Sequence, residues 1–484
     1  MDLVPPEYDE AHPEGGNPLE VDVNAQYAGF EFHAAYLALC AYLVWMIIPG
    51  LALLYGGLAR RKSALSMLYQ GFAVIGVITF QWMFWGYSLT YSPTSGPFIG
   101  DMKNFGLRDV TAAPIGFLPE ILFCFYQCLF CVVTVMIVVG GAFERGRVIP
   151  VLFFSFWWAT IVYCPVACWT WNSTGWLANL PSLDYAGGGP VHIASGCSAL
   201  AYALVLGKRK LREAPHTKPH NVSMVFIGTV MIWFGWFGFN GGSTLNSTVR
   251  SFMAAWNTNV SAGMGVIGWS IVDMIRHKGK LSTIGACEGA IAGLVGITPA
   301  AGYVSVWFAA LIGLLTGMAC SSLKNINKWI RVDEGMDVFK LHGVGGMIGS
   351  FLTGIFASSS VSALDGGTLA PGGVDGVGAQ VARQLADIAS IAGYSFTVSF
   401  ILLWIMKFIG MYVPFMALRV SEEAEIRGID SEEFAEEEEV GDWSMFESPN
   451  TTTQGTTAES KLVSTPPSPP PGLQEEEQKP TTTA

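Results

Sequence analysis

The chain has 484 residues, of which 51% are hydrophobic and only 13% charged, with a mean hydropathy of +0.42. That composition excludes an ordinary soluble globular protein and points to a polytopic membrane protein. The net charge of −12 is carried at the ends: there are eight acids and no base in residues 1–31, and 16 acids against three bases from Ser421 onward. The stretch 32–420 holds 23 bases and 14 acids, and nothing in it suggests nucleic acid.

Residues 1–32 are acidic and contain Pro and Gly, so they read as a loose tail. The first apolar run starts near Ala34, follows no basic region and is too long for a secretory signal core. From there, apolar stretches of bilayer-spanning length recur at about 34–58, 64–90, 117–142, 149–171, 185–207, 222–241, 252–275, 283–301, 303–322, 338–358 and 385–413. An all-α integral membrane protein with eleven transmembrane helices follows, its termini on opposite sides. One set of loops carries 16 Lys and Arg, including Arg60, Arg145, Arg209, Arg212, Lys218 and Lys324; the other carries four, Lys103, Arg108, Arg250 and Arg383. The positive-inside bias makes the first set cytoplasmic, the N-terminus external and the C-terminus internal. Helices one to five and six to ten then form two five-helix halves of opposite topology, an inverted repeat plus a final helix.

Two histidines lie well inside apolar runs. His192 follows Asp184-Tyr-Ala-Gly-Gly-Gly-Pro-Val in the fifth stretch, and His342 follows Asp337-Val-Phe-Lys-Leu in the tenth. An intramembrane ionisable group is costly and marks a pathway or a partner. A lone histidine there is more often a packing residue, but two at matching places in opposite halves point to function. If they touch, they stay neutral or share one proton, and they could relay one. Asp184 could cap the broken helix before Pro190 or stabilise a cation. The aromatics Tyr126, Phe130, Trp169, Trp171 and Gly235-Trp-Phe-Gly-Phe-Asn-Gly-Gly-Ser243 are on composition alone interfacial anchors; the alternative is a cation–π cage with Ser243 accepting a hydrogen bond.

Other residues read as structural. Glu120 and Glu144 look interfacial, the latter paired with Arg145 or Arg147. Lys340 is expected to snorkel to the cytoplasmic face. All nine cysteines fall in apolar runs; Cys124, Cys128 and Cys131 have helical spacing but no His or acid joins them, so they are taken as buried fillers and neither metal nor cofactor is expected. Beyond Val420, residues 421–442 are strongly acidic and 451–484 rich in Thr, Ser and Pro, a solvated, largely disordered tail. An inert tail and one regulated by phosphorylation remain equally open.

The motifs Asp184–His192, Gly235–Ser243, Gly289-Ala-Ile-Ala-Gly-Leu-Val-Gly-Ile-Thr-Pro-Ala-Ala-Gly-Tyr303, Asp337…His342-Gly-Val-Gly-Gly and Leu418–Asp430 resemble the ammonium transporter (Amt/Mep/Rh) family over about residues 30–430. With histidine at the first twin position and a long Ser/Thr/Pro tail, the resemblance is closest to fungal high-affinity ammonium permeases. It implies a homotrimer with one pore per subunit, a multi-pass plasma-membrane location, and NH4+ as substrate with methylammonium as analogue. It maps a recruitment site onto Trp171, Ser243, Asp184 and Tyr126 or Phe130, a two-ring gate onto Phe130 and Phe239, and the twin histidines onto His192 and His342. Where this chain has Lys340, a small or apolar residue is expected. The domains become an extracellular tail (1–32), the membrane domain (33–420) and a cytoplasmic regulatory tail (421–484), the last open to kinases or signalling partners. The expected function is non-enzymatic ammonium transport with an ammonium-sensing role left open. The alternatives are an NH3 gas channel and a sensor with little flux. A di-haem redox protein, the remaining rival, needs more paired intramembrane histidines than this chain has.

Overall fold

The computed structural model describes residues 22–210 and 219–435. Residues 1–21, Arg212, Lys218, the acidic run 436–439 and the Ser/Thr/Pro-rich tail lie outside the described residues. In chain order the long helices are α1 (Glu31–Leu58), α2 (Arg61–Tyr91), α3 (Glu120–Ala142), α4 (Val148–Asn179), α5 (Gly188–Leu206), α6 (Val222–Thr244), α7 (Val249–Arg276), α8 (Thr283–Ile297), α9 (Val306–Ser322), α10 (Phe339–Phe356) and α11 (Ala379–Tyr412). Among the described residues, strand pairing is confined to a two-residue hairpin, Pro114–Ile115 against Leu118–Pro119.

By length and composition, seven helices can cross a membrane: α1 to α6 and α11. An eighth arises if α10 is counted with Ser359–Asp365, to which it is bent by 95°. α8 and α9 are apolar but only 15 and 17 residues long. α7 has 28 residues, but Asn257, Thr258 and Ser261 interrupt its apolar face and are buried. The apolar stretches of the sequence are therefore helical, but not all of them pass as spans on length and composition.

Local chemistry sets the helix ends. The Asn221 side chain accepts from the Met224 N–H at 3.0 Å and Ser282 from Gly285 at 3.0 Å, each satisfying a donor the first turn leaves open. Thr248 and Ser251 form a reciprocal capping box at the start of α7. α5 stops at Gly207, whose φ of +81° favours glycine.

Glycines set how closely the helices approach. On α7, a Cβ at Gly265 would run into the Gly289 carbonyl of α8, and one at Gly313 of α9 into the Ser261 carbonyl of α7. α1 meets α6 in the same way: a Cβ at Gly228 would lie 2.6 Å from Gly50 O, and one at Gly57 2.7 Å from Asn221 O. Backbones this close gain dispersion contacts that no apolar solvent can replace. α5 crosses α10 at two such points. A Cβ on Gly196 would run into the Gly343 backbone, and one on Gly346 would lie 2.9 Å from Gly188 O and 3.1 Å from the His192 Cβ.

Ion pairs gather at one end of the bundle. Glu144 is held by Arg60 at 3.2 Å and Arg209 at 2.9 Å, not by its neighbours Arg145 or Arg147, because both partners come from other loops folded against it. Arg209 also grips Asp333 at 3.0 Å. Arg145 is fully buried and donates to the Asp333 carbonyl at 2.6 Å. Glu120 is buried as well, accepting from the Tyr87 hydroxyl at 2.7 Å.

Both tails are better ordered at their roots than the sequence reading expects. Tyr27 is buried and donates its hydroxyl to the Ala112 carbonyl at 2.5 Å. At the other terminus, Glu422–Arg427 and Asp430–Glu433 are short helices, not solvated coil. Asp430 accepts from the Leu65 and Ser66 N–H groups at 3.0 Å each, Glu433 pairs with Arg147 at 3.0 Å, Glu425 pairs with Arg419 at 2.6 Å, and Ile429 is fully buried. Acidic composition reads as solvated when partners are ignored; here Asp430 meets the start of α2 and Glu433 a base from another loop, while Glu425 meets Arg419 six residues upstream.

The glycine crossings give the first test. Gly313→Leu places a branched side chain against the Ser261 carbonyl and should abolish the monodisperse peak of the detergent-solubilised protein in fluorescence-detected size exclusion. Leucine at Gly263, which has open space around its Cβ position, should leave that peak in place.

Candidate functional site

His192 and His342 each sit on a π-type turn that opens its helix, Gly188–Ile193 for α5 and Phe339–Val344 for α10. The Nδ1 atoms of the two rings lie 3.2 Å apart, and the ring centroids 5.3 Å apart. Both side chains are buried. A bond between two Nδ1 atoms needs a proton on one and a lone pair on the other, so neutral rings carry opposite tautomers. The Nε2 of His192 has no protein partner.

Five aromatic side chains continue the column from His192. Trp236 stacks on it at 5.3 Å and 18°, its Nε1 donating to Thr298 at 3.0 Å. Phe239 follows at 6.3 Å and stacks on Phe130 at 4.0 Å and 20°. Phe130 meets Trp171 edge-on at 6.0 Å and Tyr126 at 4.9 Å. Phe130 and Phe239 are fully buried; at 4.0 Å their faces leave no room between them.

The polar groups beyond the rings are mostly committed. Tyr126 donates its hydroxyl toward the Gly238 and Phe239 carbonyls at 2.9 and 2.8 Å, and it stands 3.5 Å from Ser243 Oγ. Ser243 itself donates to the Phe239 carbonyl at 2.8 Å, leaving its lone pairs open. Trp171 Nε1 donates to the Asp184 carbonyl at 3.3 Å. The structure thus brings Tyr126, Ser243, Phe239, Phe130, Trp171, His192 and His342 into one continuous column, with Asp184 joined through Trp171.

Asp184 does not reach into the column with its carboxylate. It accepts from the Gly187, Gly188 and Gly189 N–H groups at 2.8, 2.7 and 2.6 Å, closing the first turn of α5. Burial pushes this carboxyl up to about 6, and the three N–H groups oppose that rise. The loop before it is clamped to α11, where Gln384 accepts from the Leu183 N–H and donates to the Leu183 carbonyl, each at 2.7 Å.

At the far end, His342 and Glu288 both line a narrow apolar cavity of about 20 Å³, room for one or two water-sized molecules. Glu288 and Leu58 also line a second cavity of about 480 Å³. Lys340 lies there, only 1% exposed and 2.7 Å from Asp337; it does not snorkel, because an acceptor inside the fold is nearer than water. Against the burial that would raise it, Arg209 holds the Asp333 carboxyl below the usual range. Burial, then the Asp337 charge, pushes Glu334 up to about 7.

The Ammonium Transporter Family matches residues 35–439. The chain belongs to the ammonium transporter family. It is 45% identical over 455 residues to ammonium transporter 1 of Schizosaccharomyces pombe, covering 93% of this chain and 90% of that one. It is also 45% identical over 433 residues to ammonium transporter MEP2 of Saccharomyces cerevisiae, covering 87% and 86%. The crystal structure of Candida albicans Mep2 superposes with a TM-score of 0.80 at 44% identity, covering 85% of this chain and 90% of that one. The relatives are named as transporters, and the apolar helices make this ammonium transporter family member a multi-pass membrane protein.

Trp236, Glu288, Gln384 and Asp387 were not singled out from the sequence. Trp236 lies inside the Gly235–Ser243 motif, but its face on His192 is a tertiary fact. Asp387 is fully buried, with Ser350 at 3.3 Å. The signal for it was an acid inside the apolar run 385–413, the same signal that marked the histidines.

Asp184→Asn tests the cap. Either orientation of the amide turns one acceptor into a donor facing a backbone N–H, so a loss of about 2 kcal/mol is expected, the scale of a charged hydrogen bond. It should appear as a lower thermal midpoint in detergent, and an unchanged midpoint would show that the three bonds do not hold the turn.

Proposed function

We propose that this chain is a plasma-membrane ammonium transporter in which NH4+ loses its proton outside the ring stack and the two products pass inward separately. The observation that carries the reading is the 3.2 Å histidine contact beneath two rings stacked at 4.0 Å. The array is assigned to eleven spans with the N-terminus outside, and three copies assemble as a homotrimer. Apolar side chains on α6 and α7 such as Phe226, Phe234, Phe252 and Trp256, each more than half exposed, support contact with lipid or with a neighbouring copy.

Trp171, Tyr126 and Ser243 hold the incoming ion, the rings by cation–π attraction and the serine lone pairs as acceptors. Asp184 adds a negative charge at one remove. A bare cation carried on through the apolar column would lose hydration worth tens of kcal/mol by idealised Born arithmetic, beyond what a few contacts offset. Neutral NH3 escapes that cost but needs Phe130 and Phe239 to swing aside. The proton travels on the imidazoles. When the rings part, His192 takes it on Nε2 and passes its Nδ1 proton to His342, which releases one from its own Nε2 into the narrow cavity it lines. Potassium has no proton to give up and is rejected without a size filter.

Ammonium should therefore evoke a current in proteoliposomes holding the wild-type protein. In His192→Ala/His342→Ala the current should either fall at least about tenfold or become permeable to K+. Unaltered, K+-excluding uptake in the double variant would remove the imidazoles from the mechanism. Internal alkalinisation without current in the wild type would replace it with an NH3 channel.

A further inference from the structure

The family resemblance leads one to expect a small or apolar residue at the position of Lys340. Here a lysine is enclosed almost completely, 1% exposed, two residues before a twin histidine. Its ammonium group lies 2.7 Å from Asp337 Oδ2 and 3.8 Å from Glu288 Oε2, and 5.0 Å over the Trp269 ring, whose indole is itself buried. Two carboxylates and an indole face are the surroundings an alkylammonium ion selects.

The position matters because Glu288 stands at a junction. With Leu58, it lines both the narrow cavity that reaches His342 and the wide one beyond it. Glu288 therefore stands on the wall that the two cavities share. In the wide cavity, Arg209 and Glu144 pair at 2.9 Å and Arg276 and Asp273 at 3.1 Å, closing on themselves. Glu288 and Asp337 remain, 24% and 29% exposed, with Lys340 between them and Lys324 on the same wall. Without the Lys340 charge this exit would be a negative well facing a half-open space.

We propose that Lys340 is a tethered ammonium group that occupies an inner cation site made by Glu288, Asp337 and Trp269, so that the transported ammonium does not lodge there. The inference rests on the reading of the column as an ammonium path. The lysine satisfies both carboxylates from within the fold. NH3 that leaves past His342 and regains a proton in the wide cavity then meets a neutral wall. Lys340 is thus a residue that sets release, and it acts on substrate by exclusion. Lys340→Met keeps the length of the side chain and vacates the site for a mobile cation.

Two measurements on full-length protein test this. In detergent, ammonium or rubidium chloride should raise the thermal midpoint of Lys340→Met relative to choline chloride by more than they raise that of the wild type or of Glu288→Gln/Lys340→Met, which keep only the outer recruitment site. In proteoliposomes, methylammonium on the Lys340 side should inhibit Lys340→Met at about tenfold lower concentration than the wild type, the scale of one close charge contact. If Lys340→Met folds only with ammonium or rubidium in the buffer, the site is equally demonstrated. Equal cation-induced shifts and equal inhibition in wild type and Lys340→Met would overturn the proposal, as would a Lys340→Met that neither these cations nor Glu288→Gln can recover. A wild type without ammonium flux would instead defeat the transport reading; a transporting wild type beside a cation-insensitive Lys340→Met defeats only this inference.

Discussion

A contact of 3.2 Å between two imidazole nitrogens ties α5 to α10, and much of the architecture serves to permit it. Each ring sits on the opening turn of its helix, where a π-type turn offsets the side chain from the regular helical rows. The helices cross where Gly196 faces Gly343 and Gly346 faces Gly188. Any side chain at these points would separate the backbones, and the ring contact would lengthen with them. The price of holding two titratable rings in an apolar medium is kept low because each satisfies the other and both remain neutral.

The loop that delivers His192 is governed by a similar rule. A helix beginning deep in the bundle exposes N–H groups that water cannot reach. Asp184 supplies the acceptors from three residues upstream of the first open donor. The glycines between them follow from geometry. Gly187 has φ of +114°, and a Cβ at Gly189 would collide with Ile391 and press on the Asp184 carboxylate. Asp-Tyr-Ala-Gly-Gly-Gly is therefore a folded cap. The acid acts on a nearby cation only through space, since both of its oxygens are taken.

How much of this could be read from the sequence depended on whether the signal was local. Apolar length marked the helices, and a lone histidine in an apolar run was conspicuous at His192 and again at His342. Pairings across long intervals left no mark. Glu144 has bases at 145 and 147 yet binds Arg60 and Arg209, while Arg145 is taken by the Asp333 carbonyl and Arg147 by Glu433. Lys340 looked like a residue seeking water until Asp337, one helical turn away, proved to be the nearer partner. Asp430 and Glu433 look solvated in the sequence because the groups that bind them, the N–H groups of Leu65 and Ser66 and the side chain of Arg147, are hundreds of residues away. Helices α8 and α9, at 15 and 17 residues, show the reverse limit: they are apolar but fall short of spanning length, although glycines bring both close to α7.

The two ends of the column differ in how their charges are arranged, and the difference has a direction. At one end Asp184 is satisfied by neutral N–H dipoles, which stabilise its charge but do not cancel it, so a negative field remains beside Trp171 and Ser243. At the other, Glu288 and Asp337 face a lysine ammonium, which cancels charge with charge. An end of the first kind gathers cations and an end of the second kind lets them go. Between the two the path is apolar and neutral, so a charge entering it is opposed by desolvation whichever end it comes from. On the proposed reading, attraction, exclusion and release follow in sequence along one axis, with Asp184 and Lys340 each fixed by partners only a few residues away.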